Sequence, residues 1–238
     1  MQQYPNTDFY GTLKLELSMK ISISNKIREV CPQLQLGIIR CHVYNSATGN
    51  EFWKEMEAEM LQIASTFSIE DINKRPAIAA TRKVYKQLGK DPNRYRPSAE
   101  ALCRRIIRGI DIYKVSTLVD VINLVSIRSG YSIGGFDAAK IQGDVELGVG
   151  THEDVFEAIG RGLLNVEGLP LYRDSAGGIG TPTSDNERTK ISDNTTDLLL
   201  IINGYSGAEG LEKSVEHAEE LLKKYAGMTN WQVEYIQA

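Results

Sequence analysis

The spacing of apolar residues changes along the chain and marks out its elements. Lys14 to Ile23 (KLELSMKISI) alternates apolar and polar positions, which predicts a half-buried strand. Residues 35–43 (QLGIIRCHV) predict a second strand, rich in β-branched residues. From Glu51 to Phe67 the period lengthens, and Phe52, Met56, Met60, Ile63 and Phe67 fall on one side of a helix. Pro76 suits the first turn of the next helix, Ile78, Val84, Tyr85 and Leu88 form its buried face, and Gly89 is its stop. The link DPNRYRP carries turn-forming residues. Ser98 is the expected cap of a following helix that runs through EALCRRIIR. Leu118 to Ile127 (LVDVINLVSI) is apolar except for Asp120, Asn123 and Ser126, whose spacing of three draws a polar stripe along one helical face.

Beyond this helix, GYSIGGFD (130–137) reads as a turn-rich connection, Asp144 to Val149 as a strand and Asp154 to Ile159 as a short helix. Leu169 to Tyr172 predicts a strand, followed by the loop DSAGGIGTPTSDNERTKISDNTT. Leu198 to Ile202 predicts a buried strand, and Glu209 to Tyr225 an amphipathic helix that closes the chain. Strands and helices mix without strict βαβ alternation, so the expected class is α+β.

Composition adds limits. A chain of 238 residues with 42% hydrophobic content suffices for one sizeable core. Residues 1–18 read as a loosely attached lead-in, and 19–238 as one folded unit ending in the terminal helix. No apolar run approaches the length of a membrane span, and the N-terminus lacks the basic-then-apolar order of a signal peptide, so the expected location is cytoplasmic, with no membrane partner. Cys31, Cys41 and Cys103 form no CxxC pair and are expected as buried thiols. The net charge of −4 conceals a local excess: between Lys74 and Arg108 stand eleven basic residues, opposed by Asp91 and Glu100 alone. Arg82 and Lys86 lie one helical turn apart, as do Arg104 and Arg108, and Lys83, Arg94, Arg96 and Arg105 extend the patch. Such a patch can track a polyanion even on an acidic protein.

Several chemistries are disfavoured. His42, His152 and His217 lack zinc-ligand spacing, and no GxSxG elbow is present, so neither a metal nor a serine triad is expected. No cofactor is implied. GGIG (177–180) lacks the lysine of a phosphate loop. It reads as a turn, or as a loop whose backbone N–H groups, Gly180 included, face a ligand. The loop SDNERTK (184–190) packs Ser184, Asp185, Glu187, Arg188, Thr189 and Lys190 between glycines and a buried strand. Functional groups concentrate in such loops, although a solvated turn would read the same way.

The stretch RPAIAATRKVYKQLGKDPNRYRPSAEALCRRIIRG (75–109) resembles freestanding proteins related to the tRNA-binding and editing (B3/B4-type) domain of the phenylalanyl-tRNA synthetase beta subunit. DVINLVS, IGGFDAAKIQGDVEL, LYRDSAGG, SDNERTKIS and TTDLLLIIN follow in the same order, from about residue 30 to about residue 205. The resemblance implies an α+β fold of layered sheets of unusual topology flanked by helices. It also implies hydrolysis of mischarged aminoacyl-tRNA, with tRNA as the partner through its aminoacylated acceptor end; a contact with a synthetase stays open. On this reading Asp185 and Asn123 are the candidate catalytic residues. Ser126, Gly134, Gly135, Gly180, Ser184 and Arg188 would bind the aminoacyl group. Arg82, Lys83, Lys86, Arg94, Arg96, Arg104, Arg105 and Arg108 would contact tRNA. An ester can be hydrolysed by an oriented water with donors aimed at the oxyanion, without a side-chain nucleophile. The sequence departs from the synthetase pattern at three places. Gly134 stands where a pocket histidine is expected, Ile122 where a threonine is, and aliphatics at 200–202 where a glutamate is. Asp185 and Arg188 point instead to a more polar amino acid. A tRNA-binding module without hydrolysis and a small-molecule protein unrelated to tRNA are the alternatives.

Overall fold

Strand β9 (Asp197–Gly204) shows how the layers arise. In the computed structural model, which describes residues 19–238, its run of leucines and isoleucines is buried at successive positions because both faces are covered. Leu198, Leu200 and Ile202 join one apolar cluster with Phe52, Leu118 and Val215, while Leu199 and Ile201 join another with Ile21, Val145 and Leu147. β9 lies inside an antiparallel sheet of order β10-β2-β9-β3, formed with β2 (Gln35–His42), β3 (Ile133–Asp137) and β10 (Thr229–Gln237). Helices α2 (Asn50–Thr66), α4 (Ser98–Ile107), α5 (Thr117–Ser129) and α6 (Leu211–Ala226) cover one face. The other face packs on a second sheet of order β1-β4-β7-β8, built from β1 (Ile21–Ile23), β4 (Val145–Val149), β7 (Pro170–Asp174) and β8 (Gly177–Gly180). The short helix α1 (Asn25–Val30) follows β1 and α3 (Pro76–Gln87) precedes α4. A hairpin of β5 (Glu157–Ala158) and β6 (Gly162–Leu163) packs beside Tyr85 of α3. The class is α+β, with layered sheets flanked by helices.

Most elements lie where the apolar spacing puts them; the exceptions have physical reasons. The turn-rich connection at 130–137 is instead strand β3 from Ile133 onward. Its paired glycines serve close packing: a Cβ on Gly134 would lie 2.7 Å from the Phe136 ring, and one on Gly135 2.3 Å from Ile122. The helix expected over Asp154 to Ile159 is the β5–β6 hairpin. Ser98 does not cap α4; Pro97 occupies the cap position, and the Ser98 N–H donates to the carbonyl of Pro182 at 2.8 Å. The terminal helix does not close the chain, because β10 returns along β2 as an edge strand. The lead-in expected over 1–18, and the first half of the strand expected over Lys14 to Ile23, lie outside the described residues. The three cysteines are free and buried.

Candidate functional site

Two carboxylates, one buried and one half-buried, sit in opposite surroundings. The first, Glu100 on α4, is 1% exposed and meets three guanidinium groups. Arg82 Nη1 donates to it at 2.8 Å and also to the Pro92 carbonyl, while its Nη2 donates to Asn93. Arg96 and Arg104 approach the other carboxylate oxygen at 3.4 and 3.7 Å, and Arg104 also donates to the Ile69 carbonyl. Removing a carboxylate from water is costly unless cations and hydrogen bonds replace the water, and here they do. Arg82, Arg96 and Arg104, expected as tRNA contacts, are therefore engaged within the fold and do not form a free surface. Arg75 is buried too; its guanidinium donates to the Ile127 and Arg128 carbonyls and satisfies the C-terminal end of α5. Lys83, Lys86, Arg94 and Arg108 remain exposed. Arg105 lies over the ring of Tyr113, with its guanidinium carbon 4.2 Å from the centroid.

The second carboxylate, Asp185, faces a cleft of about 400 Å³. Its position is set by a tight turn. Thr181 N–H donates to the Ser184 carbonyl, Thr181 Oγ1 accepts from the N–H groups of Thr183 and Ser184, and Asn186 N–H donates to the Ile179 carbonyl. The Asp185 carbonyl is held in turn by the N–H of Ile159 on the hairpin. One carboxylate oxygen accepts from Gly135 N–H at 3.3 Å, and among the described residues no cation pairs with either oxygen. The other oxygen rests beside Gly180 and Gly134, where added Cβ atoms would lie 2.8 and 3.7 Å from it. Burial pushes the Asp185 carboxyl up to about 7, and the Gly135 N–H only partly offsets this. A carboxyl that titrates near neutrality can hold or release a proton as chemistry demands.

The polar stripe of α5 divides by role. Asp120 accepts from the Thr48 hydroxyl and the Val115 N–H, and the Ser126 hydroxyl donates to the Tyr131 carbonyl at 2.7 Å. Asn123, between them, has no protein hydrogen-bond partner among the described residues and lines the cleft. The cleft gathers Asn123, Ser126, Gly135 and Asp185 from separate parts of the chain. It does not gather the other expected residues. Gly134 and Gly180 lie beneath the Phe136 ring, Ser184 belongs to the supporting turn, and Arg188 is turned away. The Arg188 guanidinium forms a two-pronged ion pair with Asp174, at 2.7 and 3.0 Å, so its charge is already answered. The histidine position of the resemblance is thus a closely covered glycine.

Sequence reasoning did not assign Ser98, Leu102, Val115, Val119, Ile133, Ile159 or Ile191 to a site; with Ile122 and Lys190 they complete the walls. Ser98 and Leu102 lie on one face of α4, four residues apart, a spacing visible in the sequence once the helix is placed. Lys190 is paired with Glu187. No helix among the described residues is long and apolar enough to cross a membrane.

A family model described as the B3/4 domain matches residues 80–227, which include α4, α5, β3, the Asp185 loop and α6. Among solved structures, one that resembles the chain is an N-terminal fragment of the phenylalanyl-tRNA synthetase beta-subunit from Pyrococcus horikoshii. It is 12% identical, with a TM-score of 0.45, and the match covers 92% of this chain and 55% of that one. The chain thus spans about half the length of that fragment. No curated protein matches.

Proposed function

The chain belongs to the B3/4 domain family, and from that premise we propose that it hydrolyses the ester of mischarged aminoacyl-tRNA in the cleft beside α5. The observation that carries this reading is the cation-free carboxyl of Asp185, lifted to about 7 in an apolar cleft whose free amide is Asn123. In the proposed reaction the Asp185 carboxylate takes a proton from water, and the water oxygen attacks the ester carbonyl carbon. The Asn123 amide donates to the oxygen that gains charge. Collapse of the tetrahedral intermediate breaks the bond to the ribose oxygen, and the proton held by Asp185 passes to that oxygen. The products are a free amino acid and a tRNA with a free terminal hydroxyl. The hydrogen-bonded turn that carries Asp185 supports the required placement.

In this reading tRNA is held by the cations the fold leaves free: Lys83, Lys86, Arg94 and Arg108, with Arg105 nearer the cleft. Arg105 lies on the same face of α4 as Ser98 and Leu102, and its stacked Tyr113 belongs to the segment that carries Val115 into the cleft wall.

The test is a panel of mischarged tRNAs incubated with the protein, following release of the amino acid. We expect at least one species to be cleared far faster than in buffer, and Asp185→Asn to abolish the difference while tRNA affinity holds. Clearance no faster than in buffer for every species, with tRNA bound, would support a binding module without hydrolysis. Failure to bind tRNA at low salt would remove tRNA from the account.

A further inference from the structure

The cleft has a polar end and an apolar body. Its free polar groups are Asp185 and Asn123, assigned to the ester in the reading above, and the Ser98 hydroxyl on α4. The remaining wall is dominated by aliphatic side chains from four elements: Leu102 on α4, Val119 and Ile122 on α5, Ile133 on β3 and Ile159 on the hairpin. Ser126 adds no free donor, because its hydroxyl is held by the Tyr131 carbonyl, and the Lys190 ammonium is answered by Glu187. Arg188, the charge expected to attract a polar side chain, is bound to Asp174 outside the cleft. A polar side chain entering this body would give up its water for at most the one hydroxyl of Ser98, and a charged one would find no counter-charge, whereas an aliphatic one would bury apolar surface.

We propose that the acyl group accepted here carries an aliphatic side chain of roughly three to five heavy atoms, with Val119 and Ile122 as specificity-determining residues. The inference rests on the deacylase reading for the identity of the ester, but its substance is the chemistry of the wall. It reverses the sequence-based expectation of a more polar amino acid. A hydrophobic pocket discriminates by filling, so each lost methylene weakens recognition about tenfold or more, while a charged side chain is refused because its charge stays unpaired.

Two measurements test it together. In the first, hydrolysis is compared across tRNAs or adenosine esters charged with leucine, isoleucine, valine, alanine, serine, aspartate, lysine and tyrosine. In the second, binding is measured by calorimetry to adenosine carrying the same amino acids through an amide in place of the ester, which cannot be hydrolysed. We expect the branched aliphatic members to lead both series, by at least tenfold over alanine and serine and at least a hundredfold over aspartate. Val119→Thr, nearly the same shape with a hydroxyl added, should cut the aliphatic preference severalfold, and Val119→Phe should block the aliphatic analogues. Ester hydrolysis led by a polar amino acid would overturn the inference and leave the deacylase reading standing. Tight, selective binding of aliphatic amides with no ester hydrolysed would do the reverse. Equal binding of all amides, or binding of none, would overturn the inference, and a Val119→Thr variant that folds and keeps the full preference would remove Val119 from it.

Discussion

Glu100 is buried and Asp185 half-buried at a cleft wall, yet the first is surrounded by arginines and the second by almost nothing. Three guanidinium groups answer Glu100, each with a further hydrogen bond or contact of its own. A single backbone N–H answers Asp185. The first arrangement holds α3, α4 and the loop between them together, and it uses up cations that would otherwise face solvent. The second leaves a carboxyl in an unfavourable state at the wall of a cleft, where nothing in the packing requires it. A buried charge with its partners present points to structure; one without partners, facing empty space, points to chemistry.

The contrast breaks most sharply in activity. Asp185→Asn keeps the shape and the contact with Gly135 but removes the base, so turnover should fall by about 10²–10⁴-fold with tRNA affinity nearly unchanged. Unaltered single-turnover rates would take Asp185 out of the mechanism. In the wild type the rate should rise with pH through about 7, as the carboxyl ionises. Next in size is Glu100→Gln, which leaves three arginines without their carboxylate. A loss of about 3 kcal/mol is expected, read as a melting temperature lower by several degrees. A variant as stable as wild type would show that solvent already serves those arginines.

Smaller and opposite in sign is the effect of Asp185→Asn on stability. The folded carboxyl titrates at about 7, above its unfolded value of about 3.9, so the penalty on the fold grows as pH rises from the unfolded value to the folded one and is complete above it. That penalty is absent below the unfolded value, where the group is protonated in both states. Asp185→Asn should therefore stabilise by about 1–3 kcal/mol at pH 8 and change little at pH 4, in denaturant titrations at the two pH values. The smallest effect belongs to the exposed cations. Lys83→Glu with Lys86→Glu should weaken tRNA binding severalfold, reduce the dependence of log affinity on log salt by about 2, and leave the melting temperature unchanged.

The apolar period made most of the fold legible. The faces of α2 and α3, the stripe of α5 and the doubly buried β9 all follow from spacing, because burial selects residue type position by position. β3 was illegible since paired glycines favour a turn locally; only the ring of Phe136 and the side chain of Ile122, brought by other contacts, require them in a strand. β10 carries alternating Trp231, Val233 and Tyr235, but its side chains are largely exposed and its pairing is with a distant strand. The site was half legible. Asp185 and Asn123 stood out as polar groups in promising places, and the structure brings both to one cleft. Arg188 looked equivalent to Asp185 in the sequence, because only three-dimensional packing reveals that Asp174 has claimed it. The arginines near Glu100 misled for the same reason: a sequence shows charge, but not which charges already have partners.

The proposed chemistry depends on the ionisation of one side chain, and carbon-detected NMR can follow it directly. The Asp185 carboxyl carbon, assigned by its loss in Asp185→Asn, should titrate near pH 7 in the free protein, well apart from the exposed carboxylates. Titration near pH 4, in step with those surface groups, would mean that solvent or an unrecognised partner already stabilises the charge, and the cleft would lose its reason for being a site of chemistry.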